Sequence, residues 1–294
     1  MKWIKLLIFS FILSSMTIYS QFDKPSLHLS IGLAEPYADL KGSNYLMFGT
    51  YQNIQTTLID SNYIKNHYAA KTGFQINGAG KINFDKYNIV RGLAFISFSS
   101  FNTFESNKSG NQIIMINNQP YAVPLTYSYN FQVFSFGLGM EIAPTSFTNV
   151  FTPFVGANLS FNNFTSKLER TEGSETDTTR FTANGFRIGA NLNGGIEFKP
   201  NKMVGIVLGI KYDFGNLLLK NSSNSNISER YEWGRTNAEL NDEEGTYISN
   251  LPNYLYDANF KIYSSKKKDI NWGSAYMGVN IYFNTAKKKA PTKK

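Results

Sequence analysis

Val204-Gly-Ile-Val-Leu-Gly-Ile-Lys-Tyr-Asp-Phe214 alternates without a break. Ile206, Leu208, Ile210, Tyr212 and Phe214 fall on one side of an extended chain; Gly205, Val207, Gly209, Lys211 and Asp213 fall on the other. A period of two over this length is a β-strand with two chemically different sides. The pattern recurs in 186–198, where Phe186, Ile188, Ala190, Leu192, Ile196 and Phe198 alternate with Arg187, Gly189, Asn191, Asn193, Gly195 and Glu197. It recurs in 73–84 (Phe74, Ile76, Ile82, Phe84 against Gln75, Asn77, Lys81, Asn83). It recurs again in 273–283 (Ala275, Met277, Val279, Ile281, Phe283 against Ser274, Tyr276, Gly278, Asn280, Tyr282). In 88–101 the sides are mixed: Leu93 and Phe95 share one with Arg91, while Ala94, Ile96 and Phe98 share the other, so its faces are left unassigned.

Eight strand-like segments emerge, at 26–33, 73–84, 88–101, 130–142, 153–164, 186–198, 204–214 and 273–283. The connections alternate: long at 34–72, short at 85–87, long at 102–129, short at 143–152, long at 165–185, short at 199–203, and very long at 215–272. This is the rhythm of an up-and-down barrel threaded through an outer membrane, with turns on the periplasmic side and long loops outside. The expected fold is an all-β, eight-stranded antiparallel transmembrane barrel, both chain ends lying on the short-turn side. A soluble, lipocalin-like barrel would place the apolar set inside. The polar set argues against that, because Lys81, Arg91, Glu141, Arg187, Glu197, Lys211 and Asp213 are interspersed with Gly, Asn and Ser. Such a mixture suits a narrow interior in which charges find partners. Eight strands leave a lumen that side chains fill, so a diffusion pore is not expected.

The two ends read differently. Lys2 and Lys5, the apolar run 6–13 and the small residue Ser20 form an export signal (residues 1–20), with Gln21 expected as the mature N-terminus. Residues 21–283 are assigned to the barrel and 284–294 to a basic, disordered periplasmic tail. Of the net charge of +8, Lys2 and Lys5 supply two and the five tail lysines supply five, leaving +1. The high pI is therefore not a nucleic-acid footprint. No cysteine is present, which excludes disulfides, thiolate metal sites and a lipid-anchored cysteine.

Aromatic residues gather at segment ends. Phe84, Tyr87, Phe147, Phe151, Phe198, Tyr282 and Phe283 are expected at the periplasmic interface; Phe101, Tyr127, Tyr129, Phe161, Phe164, Phe186, Phe214 and Trp272 at the outer one. Together with the final strand, Ala275-Tyr-Met-Gly-Val-Asn-Ile-Tyr-Phe283, these features resemble the outer-membrane β-barrel family abundant in Bacteroidota, the porin-family or PorT-like small barrels. The last strand is similar to the signal read by the barrel-assembly machinery, although a Lys/Pro/Thr tail follows Phe283. The resemblance implies a location rather than an activity.

The remaining motifs point to no chemistry. His28 is expected as an interior hydrogen-bonded residue near Ser26 and Ser30, and His67 as a loop residue; no Ser–His–acid spacing is legible. Glu169–Asp177 and Asp242-Glu243-Glu244 lack calcium-loop spacing and read as solvated loops. Lys266-Lys267-Lys268 reads by default as a solvated charge run, on the side that would face lipopolysaccharide phosphates, and 113–123 is expected to extend its parent strands as a hairpin. No catalytic, cofactor-binding or metal-binding residue is assigned. The expected role is a non-enzymatic surface protein of the Gram-negative outer membrane, meeting an extracellular ligand or envelope protein through its loops. The alternatives are a narrow channel or part of an envelope transport complex, and third a lipid-acting enzyme.

Overall fold

The computed structural model describes residues 25–42, 46–51, 54–59, 67–84, 89–102, 108–144, 150–173, 178–200, 203–221, 235–249 and 261–283. In chain order its strands are β1 (Ser26–Ala38), β2 (Leu46–Tyr51), β3 (Ile54–Ile59), β4 (Lys71–Asn83), β5 (Val90–Asn102), β6 (Lys108–Ile116), β7 (Gln119–Ile142), β8 (Phe151–Glu172), β9 (Thr178–Phe198), β10 (Val204–Leu218), β11 (Arg235–Glu239), β12 (Gly245–Ser249), β13 (Lys261–Ser265) and β14 (Ile270–Tyr282). Eight of them form a closed antiparallel ring, β1-β4-β5-β7-β8-β9-β10-β14, in which β14 returns to β1. Every barrel ladder is thereby paired, and no barrel strand keeps a free edge in the spanning region. Each of the eight segments read from the sequence is one of these strands.

The six short strands all belong to the long connections. β2 pairs β3, β12 pairs β13, β6 folds onto β7, and β11 lies parallel to β9. The β6–β7 turn is Asn117-Asn118, both at positive φ (50° and 61°). That is the geometry of a tight two-residue hairpin turn, in which Asn is favoured. Sequence reading treated 165–185 as a long loop. Instead β8 and β9 continue as a ladder up to Thr171↔Thr178. Polar residues dominate both sides of 165–172 and 178–184 in the sequence, so the alternation that reveals a membrane strand is absent there. At 24, 22 and 21 residues, β7, β8 and β9 far exceed the roughly 9–11 residues a tilted strand needs to span a bilayer.

The barrel is inverted relative to a soluble protein. Its outward side chains are apolar and uncovered: Leu33 is 65% exposed, Leu138 63% and Ile210 69%, with Ile31, Ile76, Ile96, Leu159, Leu192, Leu208 and Met277 among the rest. Its inward side chains are polar and buried, including Lys81, Arg91, Glu141, Arg187, Glu197 and Asp213. A continuous exposed apolar belt of this kind is a lipid face. Among the described residues no helix is long and apolar enough to cross a membrane; the crossing is made by strands. The ambiguous β5 resolves by parity: Arg91, Leu93, Phe95, Ser97, Ser99 and Phe101 point inward. Leu93 and Phe95 pack with Ala79 as a small apolar cluster inside the lumen, which is why that strand's two sides look alike in sequence.

Candidate functional site: a lumen closed at both ends

At the short-turn end the lumen is sealed by charge. Lys81 (β4) meets Glu141 (β7) at 2.8 Å, and Arg91 (β5) bridges Glu141 at 3.0 Å and Glu197 (β9) at 3.4 Å. Asn280 donates to Glu197 at 2.8 Å, the Tyr282 hydroxyl also donates to Glu197, and Lys199 lies 3.5 Å from it. These side chains come from five different strands or their ends, and glycine makes room for them. A Cβ at Gly205 would run into the Glu197 carboxylate, and one at Gly209 into the Tyr276 ring. Mid-barrel, Lys211 pairs with Asp213 at 3.1 Å. Six of the seven inward charges are therefore mutually paired as expected, whereas Arg187 finds its partner outside the set, in Asp242 of a long connection. Outward, each Lys or Arg would cost about 2–4 kcal/mol at mid-bilayer, and each Asp or Glu somewhat less. Tyr282, expected in the interface girdle, instead points into the lumen, because it shares parity with Tyr276 and Asn280.

Between the seals lies a polar cavity of about 40 Å³, lined by His28, Gln75, Lys81, Asn158, Asn191 and Tyr276 among others. That is space for a few water molecules. Here His28 Nδ1 donates to Asn280 Oδ1 at 2.8 Å, and Ser30 Oγ lies 3.0 Å from His28 Nε2. Hydroxyl, imidazole and amide follow one another in the order that activates a nucleophile. Yet the serine faces a chamber too small for a lipid, and the strand wall separates it from the bilayer.

The long-loop end is sealed by aromatic rings and by loops folded back into the mouth. Phe101 (β5), Phe131 (β7), Phe164 (β8) and Trp272 (β14) pack edge-on or tilted, with centroids 6.1–6.3 Å apart, and all are buried. Three of them, Phe101, Phe164 and Trp272, had been expected in the outer girdle, as had Tyr129. Position along the strand suggested the headgroup level, but parity turns all four inward. Phe161, Phe186 and Phe214 do point outward, and Phe161 stacks on Phe136 and Phe186. Tyr87 and Phe147 lie outside the described residues; for Tyr127 only the backbone is described.

Onto this aromatic floor the loops bring Leu40, Tyr68–Ala70 and Leu240–Asp242, all buried. The Tyr68 hydroxyl donates to the Leu240 carbonyl at 2.7 Å, and the Tyr129 hydroxyl to the Tyr68 carbonyl at 3.0 Å. Asp242, expected in a solvated acidic loop, is fully buried. Arg187 (β9) donates from Nε to Oδ1 at 3.0 Å and Oδ2 at 2.8 Å, with its terminal nitrogen also on Oδ1. Asn216 Nδ2 (β10) reaches Oδ2 at 2.7 Å, and the Asn221 amide reaches Oδ1 at 3.1 Å. Lys268 is likewise not part of an exposed run. Its side chain is buried with Nζ 5.5 Å from the Tyr68 ring centroid, and the amide of Lys268 donates to the Asp242 carbonyl at 3.0 Å. Burial lowers its ammonium from the usual 10.5 to about 8, partly offset by Asp242 and Asp39. Lys266 and Lys267 stay exposed, on Asp39 (2.7 Å) and near Glu243 (3.9 Å). No sequence signal could have paired Arg187 with Asp242, which stand 55 residues apart across a long loop.

These features define a small membrane β-barrel whose lumen is plugged by its own side chains and loops. Among solved structures it is similar to Neisserial surface protein A (11% identity, TM-score 0.42, covering 88% of this chain and 97% of that one). It is also similar to Ail, the attachment invasion locus protein of Yersinia pestis (11%, 0.33, 89% and 99%), and to the outer membrane protein OprG from Pseudomonas aeruginosa (10%, 0.40, 90% and 99%). At these scores the likenesses carry no argument about what this chain does, and the barrel topology rests on its own strand pairing. No family model matches the chain, and no curated protein matches it in sequence.

Proposed function

We propose that this chain is an outer-membrane β-barrel of the Bacteroidota small-barrel type that acts as a surface interaction protein through its long-loop end. The observation that carries the reading is the double closure of the lumen. With Arg91 clamped between Glu141 and Glu197 at one end and Phe131 packed on Tyr68 at the other, no continuous path runs through the described residues, so the barrel's work falls to what projects above the lipid belt. What projects is substantial: the upper halves of β7, β8 and β9, flanked by β6 and β11, form an extended sheet. Extended sheets with polar faces and open edges are suited to binding protein segments. Lipopolysaccharide phosphates would meet the exposed Lys266 and Lys267, and the assembly machinery would read the final strand ending at Phe283. Planar-bilayer recording on the refolded protein is expected to show no step conductance, and protease added to intact cells to nick the β6–β7 hairpin. Steady conductance would favour the second reading, a narrow channel, for which the polar cavity between the two seals speaks. A hairpin cut only after the cells are opened would overturn the surface role.

A further inference from the structure

We propose that Arg187, Asn216 and the Asn221 amide form a carboxylate receptor at the barrel mouth that the chain's own Asp242 fills as an internal ligand, and that an acidic segment of a partner protein binds by exchanging with it. The inference deepens the surface-interaction reading by naming the partner's chemistry.

The receptor and its occupant have different mechanical standing. Arg187 and Asn216 sit on β9 and β10, inside a closed ladder; Asn221 follows just after β10. Asp242 sits on the five-residue connection between β11 and β12, outside the barrel ring. The segment can therefore leave without breaking a barrel pairing, and the receptor remains behind. The receptor is also well made for a carboxylate: a guanidinium fork meets both oxygens, and an amide side chain and a backbone N–H take the remaining lone pairs.

A second observation points to an external anion. Lys268 is completely buried, and its Nζ makes no hydrogen bond among the described residues. Of the two carboxylates that act on it, Asp39 is already engaged by Lys266 at 2.7 Å and by the Asp269 amide at 2.9 Å; Asp242 is engaged by Arg187. Among the described residues, Arg187 and Lys268 thus share one buried anion in the cap, Asp242, while the buried Lys220 side chain is held by the exposed Asp269 at 2.5 Å. Buried charge without a partner is costly. An acidic segment carrying two neighbouring carboxylates would satisfy both, one replacing Asp242 on Arg187 and one reaching Lys268, which a single internal aspartate does not.

Self-occupancy makes a distinctive forecast, since removing the internal ligand should strengthen binding of the external one. The test is fluorescence anisotropy with a labelled hexaglutamate peptide on the full-length barrel refolded in detergent. Asp242→Ala is expected to bind the peptide about tenfold more tightly than wild type, acetate to compete, and Arg187→Met/Asp242→Ala to lose the gain. Lys268→Gln in the Asp242→Ala background is expected to weaken binding. Folding of each variant is checked by its heat-dependent gel shift. Acrylamide quenching of Trp272, in a Trp3→Phe/Trp233→Phe background that leaves it the one tryptophan, reports whether the mouth has opened. Equal or weaker peptide binding by a folded, opened Asp242→Ala barrel would overturn the proposal. So would competition by inorganic phosphate but not acetate, which would make the receptor a phosphate site. Because the measurement needs no membrane, its failure leaves the surface-exposure test standing.

Discussion

Glu141 shows how much rests on single residues in this lumen. It is fully buried and is the anion that both Lys81 and Arg91 touch. Glu141→Gln leaves buried Lys81 without its carboxylate and Arg91 on Glu197 alone, and breaking a buried pair in this way costs about 3–5 kcal/mol. The temperature of the folded-to-unfolded gel shift is expected to fall markedly. By contrast Glu169→Gln, which removes the half-exposed contacts with Lys167 and Arg180, should cost no more than about 1 kcal/mol. A comparable loss in both variants would show that the lumen cluster is not a sealed network. Lys268 gives a pH signature. Its folded value of about 8 lies below the 10.5 of an unconstrained lysine. Between those values the unfolded chain holds the proton and the folded chain does not, so this residue's contribution makes stability rise with pH from about 8 to 10.5 and stay flat below. Tyr68, whose phenol burial keeps protonated well above its usual 10, works the other way above pH 10. Lys268→Met is expected to gain stability at neutral pH and to lose that rise. A variant with an unchanged pH profile would place the ammonium in contact with water.

At the level of elements, the connection between β10 and β14 divides into parts with opposite roles. Sequence reasoning read 215–272 as one very long loop. The structure places Asn216, Leu240, Asp242, Lys268 and Ile270 in the cap, so the loop supplies part of the plug. The β12–β13 hairpin, pairing Gly245↔Ser265 through Ser249↔Lys261, lies within this connection, which the sequence showed only as a very long loop. Replacing 250–260 with a short turn should leave both the gel shift and the shielding of Trp272 as in wild type, because loop length costs little in closure entropy. Replacing 222–267 should preserve the barrel but expose Trp272 to acrylamide, since Asp242 and its neighbours go with it. If the longer deletion left Trp272 shielded, the strand-borne aromatic residues alone would close the mouth.

For the whole molecule, closure of the ring between β1 and β14 makes assembly depend on the last strand, whose register runs from Ser26↔Tyr282 to Ala38↔Ile270. The tail 284–294 lies outside the described residues, and its composition offers nothing that could build a core. Removing it is expected to leave the yield of inserted, heat-modifiable barrel unchanged or raised, as the terminal aromatic Phe283 becomes the chain end. Loss of insertion on truncation would move the assembly signal from the strand to the tail.

The eight barrel strands, their order and, outside β5, their two faces were legible without coordinates, because a period of two with opposed polarity is a local property that each segment carries alone. The same parity, which sets Tyr282 with Tyr276 and Asn280, also marked it as inward. It was overridden by the expectation that aromatic residues near strand ends seek the headgroups. That expectation fails here because the lumen is itself an apolar destination once loops cover it. What only the tertiary structure decided is how the barrel is closed. Arg187 with Asp242, Tyr68 with Leu240, and Lys268 beneath the cap are pairings between a strand and a long connection, or between two connections. Polar loop residues have no periodicity to read, and their burial is set by a mouth that does not exist until eight strands have closed around it.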